Sequence, residues 1–144
     1  MRMRIRKKWN ILKSRRAESY IDVVVGIFAA LMVVVTALNV FSLLKDKQDL
    51  DYYAKEMIEV CCSYGKTCDE VQDRDEALKA ELGFNPELSF AGTEYFNTNN
   101  RTVQYGETIV VTLTYRTYLK GFGAIRIPVT LTARHSGLSR QYWK

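Results

Sequence analysis

The stretch RRAESYIDVVVGIFAALMVVVTALNVFSLL, residues 15–44, decides the fold. Between Asp22 and Lys45 lie 22 residues with no ionisable side chain. Wound as a helix at 1.5 Å per residue they extend roughly 33 Å, about the thickness of a bilayer's hydrocarbon core. Thr36, Asn39 and Ser42 are the polar side chains that interrupt the run, and a helix can carry all three. The run predicts a single transmembrane helix, so membrane lipid is the first expected partner. Residues 1–17 then form a basic leader, residues 18–45 the span and residues 46–144 one small domain beyond it.

Charge sets the expected orientation. Arg2, Arg4, Arg6, Lys7, Lys8, Lys13, Arg15 and Arg16 precede the run, with no acid before Glu18. Cations flanking a first hydrophobic segment hold that end in the cytoplasm. The expected location is the cell membrane, single-pass, with the N-terminus cytoplasmic and the larger domain extracytoplasmic. The net charge of +5 belongs to the leader: without its eight cations, 13 Lys and Arg face 16 Asp and Glu, a net of −3. Acidic headgroups and insertion topology account for this basicity better than nucleic acid does, and no nucleic-acid partner is expected. A cleaved secretory signal fits poorly, because its apolar core runs only about 7–15 residues and ends at a small-x-small site.

A sharper pattern starts at Ala17-Glu18-Ser19-Tyr20-Ile21-Asp22. A short basic leader ends in a small residue, a lone acid follows five positions on, and the hydrophobic helix begins at once. This layout resembles the type IV pilin and pseudopilin family, especially its short-leader TadE-like branch. The resemblance implies a prepilin-type peptidase cutting between Ala17 and Glu18, and Asp22 as the acid that aligns subunits during assembly. Ala17 stands where that family commonly has Gly, and Asp22 where it commonly has Glu. Like subunits or other pilin-like proteins would be the partners. A carboxylate at the edge of a hydrocarbon span is costly unless partnered. In a pilin-like assembly the partner would be a free α-amino group; otherwise Asp22 lies solvated at headgroup level near Arg16.

Beyond Leu44 the helical period continues. Leu43, Leu50, Tyr53, Ala54, Met57, Ile58 and Cys61 recur at three- and four-residue steps, with charged residues interleaved. No Gly or Pro occurs from Ile27 to Tyr64, which predicts one helix of about 40 residues, apolar in its first half and amphipathic in its second. Pilins pack such a helix against a small sheet; a packed or coiled-coil stalk is the other reading. Gly65 is placed to cap it. Thr67-Cys68-Asp69-Glu70 matches a capping box, with Thr67 as N-cap of a short helix that stops at Gly83. Strand chemistry then takes over around residues 88–96, 107–119 and 124–134. Ile109, Val111, Leu113 and Tyr115 alternate with Val110, Thr112, Thr114 and Arg116, so one face of the sheet is apolar. Asn97-Thr98-Asn99-Asn100 and Gly121-Phe122-Gly123 supply turns, and Pro128 either puts the last strand at an edge or sits where its missing N–H faces outward. The expected core sets Tyr53, Met57 and Ile58 against Val111, Leu113, Ile127 and Val129. The fold class is α+β: a long N-terminal helix, a short second helix and a small antiparallel sheet of about three strands packed on the first helix, as in pilins.

Catalytic chemistry is sparse. His135 is the single histidine, and its setting in Arg134-His135-Ser136-Gly137 reads as an exposed loop. Gly121-x-Gly123 is a hairpin turn without a following helix, so no phosphate loop is expected. Neither a cofactor, a metal nor an enzyme activity is expected. Cys61, Cys62 and Cys68 are odd in number; a Cys61–Cys68 or Cys62–Cys68 bridge would close the helix–helix turn and leave one thiol over. The alternative is three small side chains buried at a helix end. The C-terminal residues 134–144, rich in cations and aromatics, would dock on a neighbour or a membrane surface, or pack on the domain itself.

The whole chain also resembles an uncharacterised family of small Gram-positive membrane proteins with a TadE-like leader region. Tyr20-Ile21-Asp22, residues 37–41 (ALNVF), Lys120-Gly121-Phe122-Gly123, residues 127–133 (IPVTLTA) and Ser136-Gly137-Leu138-Ser139 carry that likeness. It implies architecture and no activity. Two functions follow: a pilin-like minor structural subunit of an envelope filament or secretion or conjugation apparatus, or an uncleaved single-pass accessory protein that presents its outer domain to a partner.

Overall fold

The first helix, α1, runs without a break over Arg2–Tyr64. It ends where Gly65 takes φ +61° and donates its N–H to the Cys61 carbonyl at 2.9 Å, the left-handed cap expected of glycine. The structure, a computed structural model, describes residues 2–120 and 126–144, with residues 2–19 and Lys120 described as backbone. It divides into two compact units, Met1–Val40 and Phe41–Lys144. The first consists of α1 alone. The expected Gly121-Phe122-Gly123 turn lies outside the described residues.

The second unit is an α+β domain built on the outer part of α1. A second helix, α2, spans Glu70–Leu82 and buries Val71, Asp75 and Leu78 on one face. Glu70 and Asp73 in its first turn and Lys79 in its last complement the helix dipole. Gly83 stops it with φ 71°. The expected capping box does not form. Asp69, at φ 47°, takes the N-cap position without a side-chain cap bond, so Glu70 is the first helical residue rather than the third. Thr67 is instead buried, its hydroxyl 3.0 Å from Tyr95 Oη and its N–H donating to the Arg101 carbonyl. That pairing, with the Lys66–Thr102 bridge, draws residues 66–67 toward the 97–102 turn and delays the helix.

The sheet has three antiparallel strands in the order β1-β2-β3: β1 Glu87–Ser89, β2 Thr108–Lys120 and β3 Arg126–Leu138. β2 and β3 pair continuously from Thr108↔Leu138 to Lys120↔Arg126. Pro128 lies on β3, an edge strand, where a missing donor is tolerated. Two boundaries differ from the sequence expectation. β1 stops at Ser89 because Gly92 turns the chain at φ +94°, after which the Thr93 hydroxyl takes over bonding to Val110 N and O. β3 begins at Arg126 among the described residues and continues four residues past 134. Arg134-His135-Ser136-Gly137 is therefore strand and not loop, with His135 partly buried opposite Val111. Asn97 forms the expected turn by accepting Asn99 N–H at 2.9 Å.

The core gathers Leu50, Tyr53, Ala54, Met57 and Cys61 of α1 against Ile109, Val111 and Leu113 of β2 and Ala133 of β3. Leu78 and Val71 close it from α2. The expected helix-to-sheet mating thus holds for β2 and fails at Ile127 and Val129, which are exposed and half-buried. The helix meets the other end of the hairpin, at Ala133 and Gly137.

Candidate functional site

The α1 segment from Tyr20 onward is long and apolar enough to cross a membrane. Within the first unit many of its large apolar side chains between Ile21 and Leu38 are exposed. Two of the polar interruptions satisfy themselves: Thr36 Oγ1 donates to the Met32 carbonyl at 2.8 Å and Asn39 Nδ2 to the Val35 carbonyl at 2.9 Å. Bonding one turn back removes the cost of placing such groups in an apolar setting.

Asp22 is exposed on this helix, without a hydrogen bond or ion pair among the described residues. Helical spacing puts Asp22, Gly26, Ala30, Val33 and Ala37 on one line, at steps of four, four, three and four. A Cβ built on Gly26 would meet nothing within 4 Å. An acid heading a row of small residues is a surface on which another helix can approach closely. Sequence reading singled out Asp22 but missed Gly26, Ala30 and Ala37, whose spacing was the available signal. Ala17 and Glu18 lie within the α1 backbone, and their side chains are outside the described residues.

The cysteines are three thiols with no bridge among them. Cys61 and Cys62 are buried where α1 meets the sheet. A Cβ on Gly137 would come within 2.6 Å of Cys62 Sγ and 3.3 Å of Ile58 Cγ1, so glycine is what lets β3 approach the helix. Burial, then the neighbouring Cys62, pushes the Cys61 thiol up to about 12. Burial raises Cys62 as well, against the pull of Arg140. Cys68 is raised by burial and then by Asp69. Protonated thiols of this kind are poor nucleophiles and poor metal ligands. No cluster of three or more His, Cys, Asp or Glu suited to a metal occurs among the described residues.

The remaining buried polar group ties the two helices together. Tyr53 Oη donates to the Asp75 carboxylate, which also receives Lys79. Burial first, and then the Asp75 hydrogen bond, push the Tyr53 phenol well above its ordinary value. The C-terminal residues pack on their own domain: Trp143 Nε1 donates to the Gly65 carbonyl at 3.2 Å, and buried Ser139 Oγ donates to Val103 O at 3.0 Å. Gly65 thus joins the end of α1 to the C-terminus, and a Cβ there would lie 2.5 Å from Gln141 Cβ.

A family model described as Domain of unknown function (DUF4320) matches residues 27–144. The chain belongs to that family. The DUF4320 match takes in the second unit and most of the apolar helix, and begins just after Gly26, leaving Ala17, Glu18 and Asp22 outside it. No curated protein and no solved structure matches the chain.

Proposed function

We propose that the protein is a pilin-like, TadE-like minor structural subunit of a cell-envelope filament or of a secretion or conjugation apparatus, anchored by one membrane-spanning helix. The observation that carries this reading is the exposed apolar run of α1, headed by exposed Asp22 in line with Gly26, Ala30 and Ala37. In a packed set of spans, Asp22 is neutralised by an amine of its own or a neighbouring subunit. Losing one partner of such a buried pair costs about 3–5 kcal/mol, a factor of several hundred or more in association.

Asp22→Ala and Asp22→Glu test this in membranes. Asp22→Ala is expected to insert and fold normally while losing cross-linkable oligomers, and Asp22→Glu to keep them. Equal oligomer ladders for all three proteins would remove Asp22 from any assembly role. N-terminal sequencing of protein from its native host is expected to begin at Glu18.

The alternative is an uncleaved single-pass accessory protein whose outer domain binds a partner. A mature chain beginning at Met1 would put this second reading ahead.

A further inference from the structure

The second unit has two layers. Its part of α1 packs on the sheet face that carries Val111 and Leu113. Phe84, just after α2, stacks on Tyr115 of that same face with ring centroids 5.0 Å apart, and on Tyr53 of α1 at 6.2 Å. Both helices therefore lie on one side of the sheet. The opposite face carries the other half of each strand's alternation, where Arg134 is level with Thr112, Arg116 with Thr130 and Arg126 with Lys120. Arg116, Arg126, Arg134, Thr130 and Thr132 are all exposed there.

The two layers present opposite charge. With Val71, Asp75 and Leu78 of α2 turned into the domain, its outward side presents Asp73 and Glu76 beside Ala77 and Ala80, with Glu81 at the flank, all exposed. The cations of α2 are engaged: Arg74 bonds Glu56 of α1 at 3.0 Å and Lys79 pairs with Asp75. Among the described residues, Asp73, Glu76 and Glu81 form no ion pair, and neither do Arg116, Arg126 and Arg134. Glu87 of β1, opposite Thr114, is the acid that the strands place on the open face. The three arginines stand at successive levels four residues apart, about 13 Å along the strands. Asp73 and Glu81 are eight residues apart, about 12 Å along the helix, so the two rows of charge are matched in spacing as well as in sign.

Within one chain these two faces point away from each other and cannot meet. A face of one sign also repels its own copy, which disfavours a two-fold contact of sheet with sheet or of α2 with α2. Sheet against α2 is the pairing that satisfies both rows. We infer that the open sheet face of one copy of the chain docks on the outward face of α2 of a second copy, with Arg116 and its neighbouring arginines paired to Asp73, Glu76 and Glu81. Arginine suits this role, because its planar guanidinium binds a carboxylate through two parallel hydrogen bonds. Ala77 and Ala80 leave the helix surface low between the acids, so it can lie close to the Thr-lined sheet. A head-to-tail contact leaves one sheet face and one α2 face free at the ends, and so passes from copy to copy. It names the partner surface for the assembly proposed above and rests on that reading for its place in a filament.

Site-specific photocrosslinking of the full chain in detergent tests it. Benzoylphenylalanine replaces Thr130 on the open face, or exposed Tyr105 as a control, and the cross-linked peptides are mapped by mass spectrometry. Position 130 is expected to join a second copy within α2, and position 105 is not. Salt at about 1 M, where charges are screened within about 3 Å, is expected to abolish the adduct. Arg116→Glu, Arg126→Glu and Arg134→Glu together, or Asp73→Lys, Glu76→Lys and Glu81→Lys together, set like charges face to face. Either triple variant alone is expected to lose about tenfold or more of the adduct. Mixing the two variants is expected to restore it, from the reversed sheet of one to the reversed helix of the other. The wild-type map decides independently of whether either variant folds. No adduct between copies at 130, an adduct to the sheet of the second copy, or a yield indifferent to charge reversal would overturn the docking. If Asp22-dependent oligomers persist in that case, the function proposed above stands without this contact. An adduct that survives while Asp22→Ala leaves oligomers unchanged would keep the contact and remove Asp22 from assembly.

Discussion

At the scale of single residues, buried protonatable groups set how the second unit responds to pH. Cys61 has its thiol pushed from 9.0 up to about 12, and Tyr53 has its phenol raised from 10.0, both chiefly by burial. Each folded-state value lies above the unfolded one, so the folded chain holds these protons more tightly. The resulting stability is fully present below pH 9 and is lost as pH rises through the two groups' ranges, at about 1.4 kcal/mol per pH unit for each group. Urea midpoints of the full chain in detergent are expected to stay flat near neutrality and to fall above pH 9. Tyr53→Phe is expected to flatten the upper part of that fall, while costing about 1–3 kcal/mol at neutral pH through the lost hydrogen bond to Asp75. A midpoint that stays level through pH 11 would place neither group in a dry core. None of this was visible beforehand: Tyr53 and Cys61 fall on the predicted apolar face, but Asp75 looked like one of many solvated helix acids. Only the meeting of α1 with α2 gives it the Tyr53 hydroxyl, beside Lys79 one turn along its own helix.

At the scale of elements, the two ends of the hairpin have opposite roles despite similar sequences. Leu113 is fully buried against α1, whereas Ile127 is half exposed. Leu113→Ala is expected to cost about 2–5 kcal/mol, the range for emptying a packed site. Ile127→Ala is expected to change stability by no more than about 0.5 kcal/mol, as for an exposed position. Chemical denaturation followed by near-ultraviolet circular dichroism measures both, and equal costs would mean that the helix covers the whole sheet. The alternation of β2 and β3 was legible because period two survives whatever the strand packs against. Which stretch of that alternation the helix covers was not legible, because the apolar face runs along the whole length of both strands. Gly137 marks that stretch, since a Cβ there would meet Cys62 and Ile58 of α1.

At the scale of the whole molecule, the chain joins an apolar helix to a domain with its own core. On the proposed topology, eight leader cations hold the N-terminus inside and the domain outside. Protease added to intact spheroplasts is expected to digest residues 83–144 and leave a fragment containing the apolar helix. Digestion only after lysis would reverse the orientation. The domain's small size suits this arrangement, since about 100 residues support one core and little more.

The sequence by itself determined the continuity of α1 from the apolar run to Tyr64, its cap at Gly65, the stop of α2 at Gly83, the α+β class and the edge position of β3, whereas α1 is 63 residues long and not about 40. These follow from local chemistry: uncharged run length, absence of helix breakers, the left-handed freedom of glycine and the missing donor of proline. Only the tertiary structure decided where β1 stops, why α2 starts at Glu70 and not after Thr67, and that β3 runs on through His135. It also turned Cys61 and Cys62 into packing residues beside Gly137 and made a network of Tyr53, Asp75 and Lys79. Each of those outcomes depends on a partner distant in sequence. Thr67 has a good cap spacing, but the strand-like bridge to Thr102 and the hydroxyl of Tyr95 hold it more firmly than a helix N-terminus would.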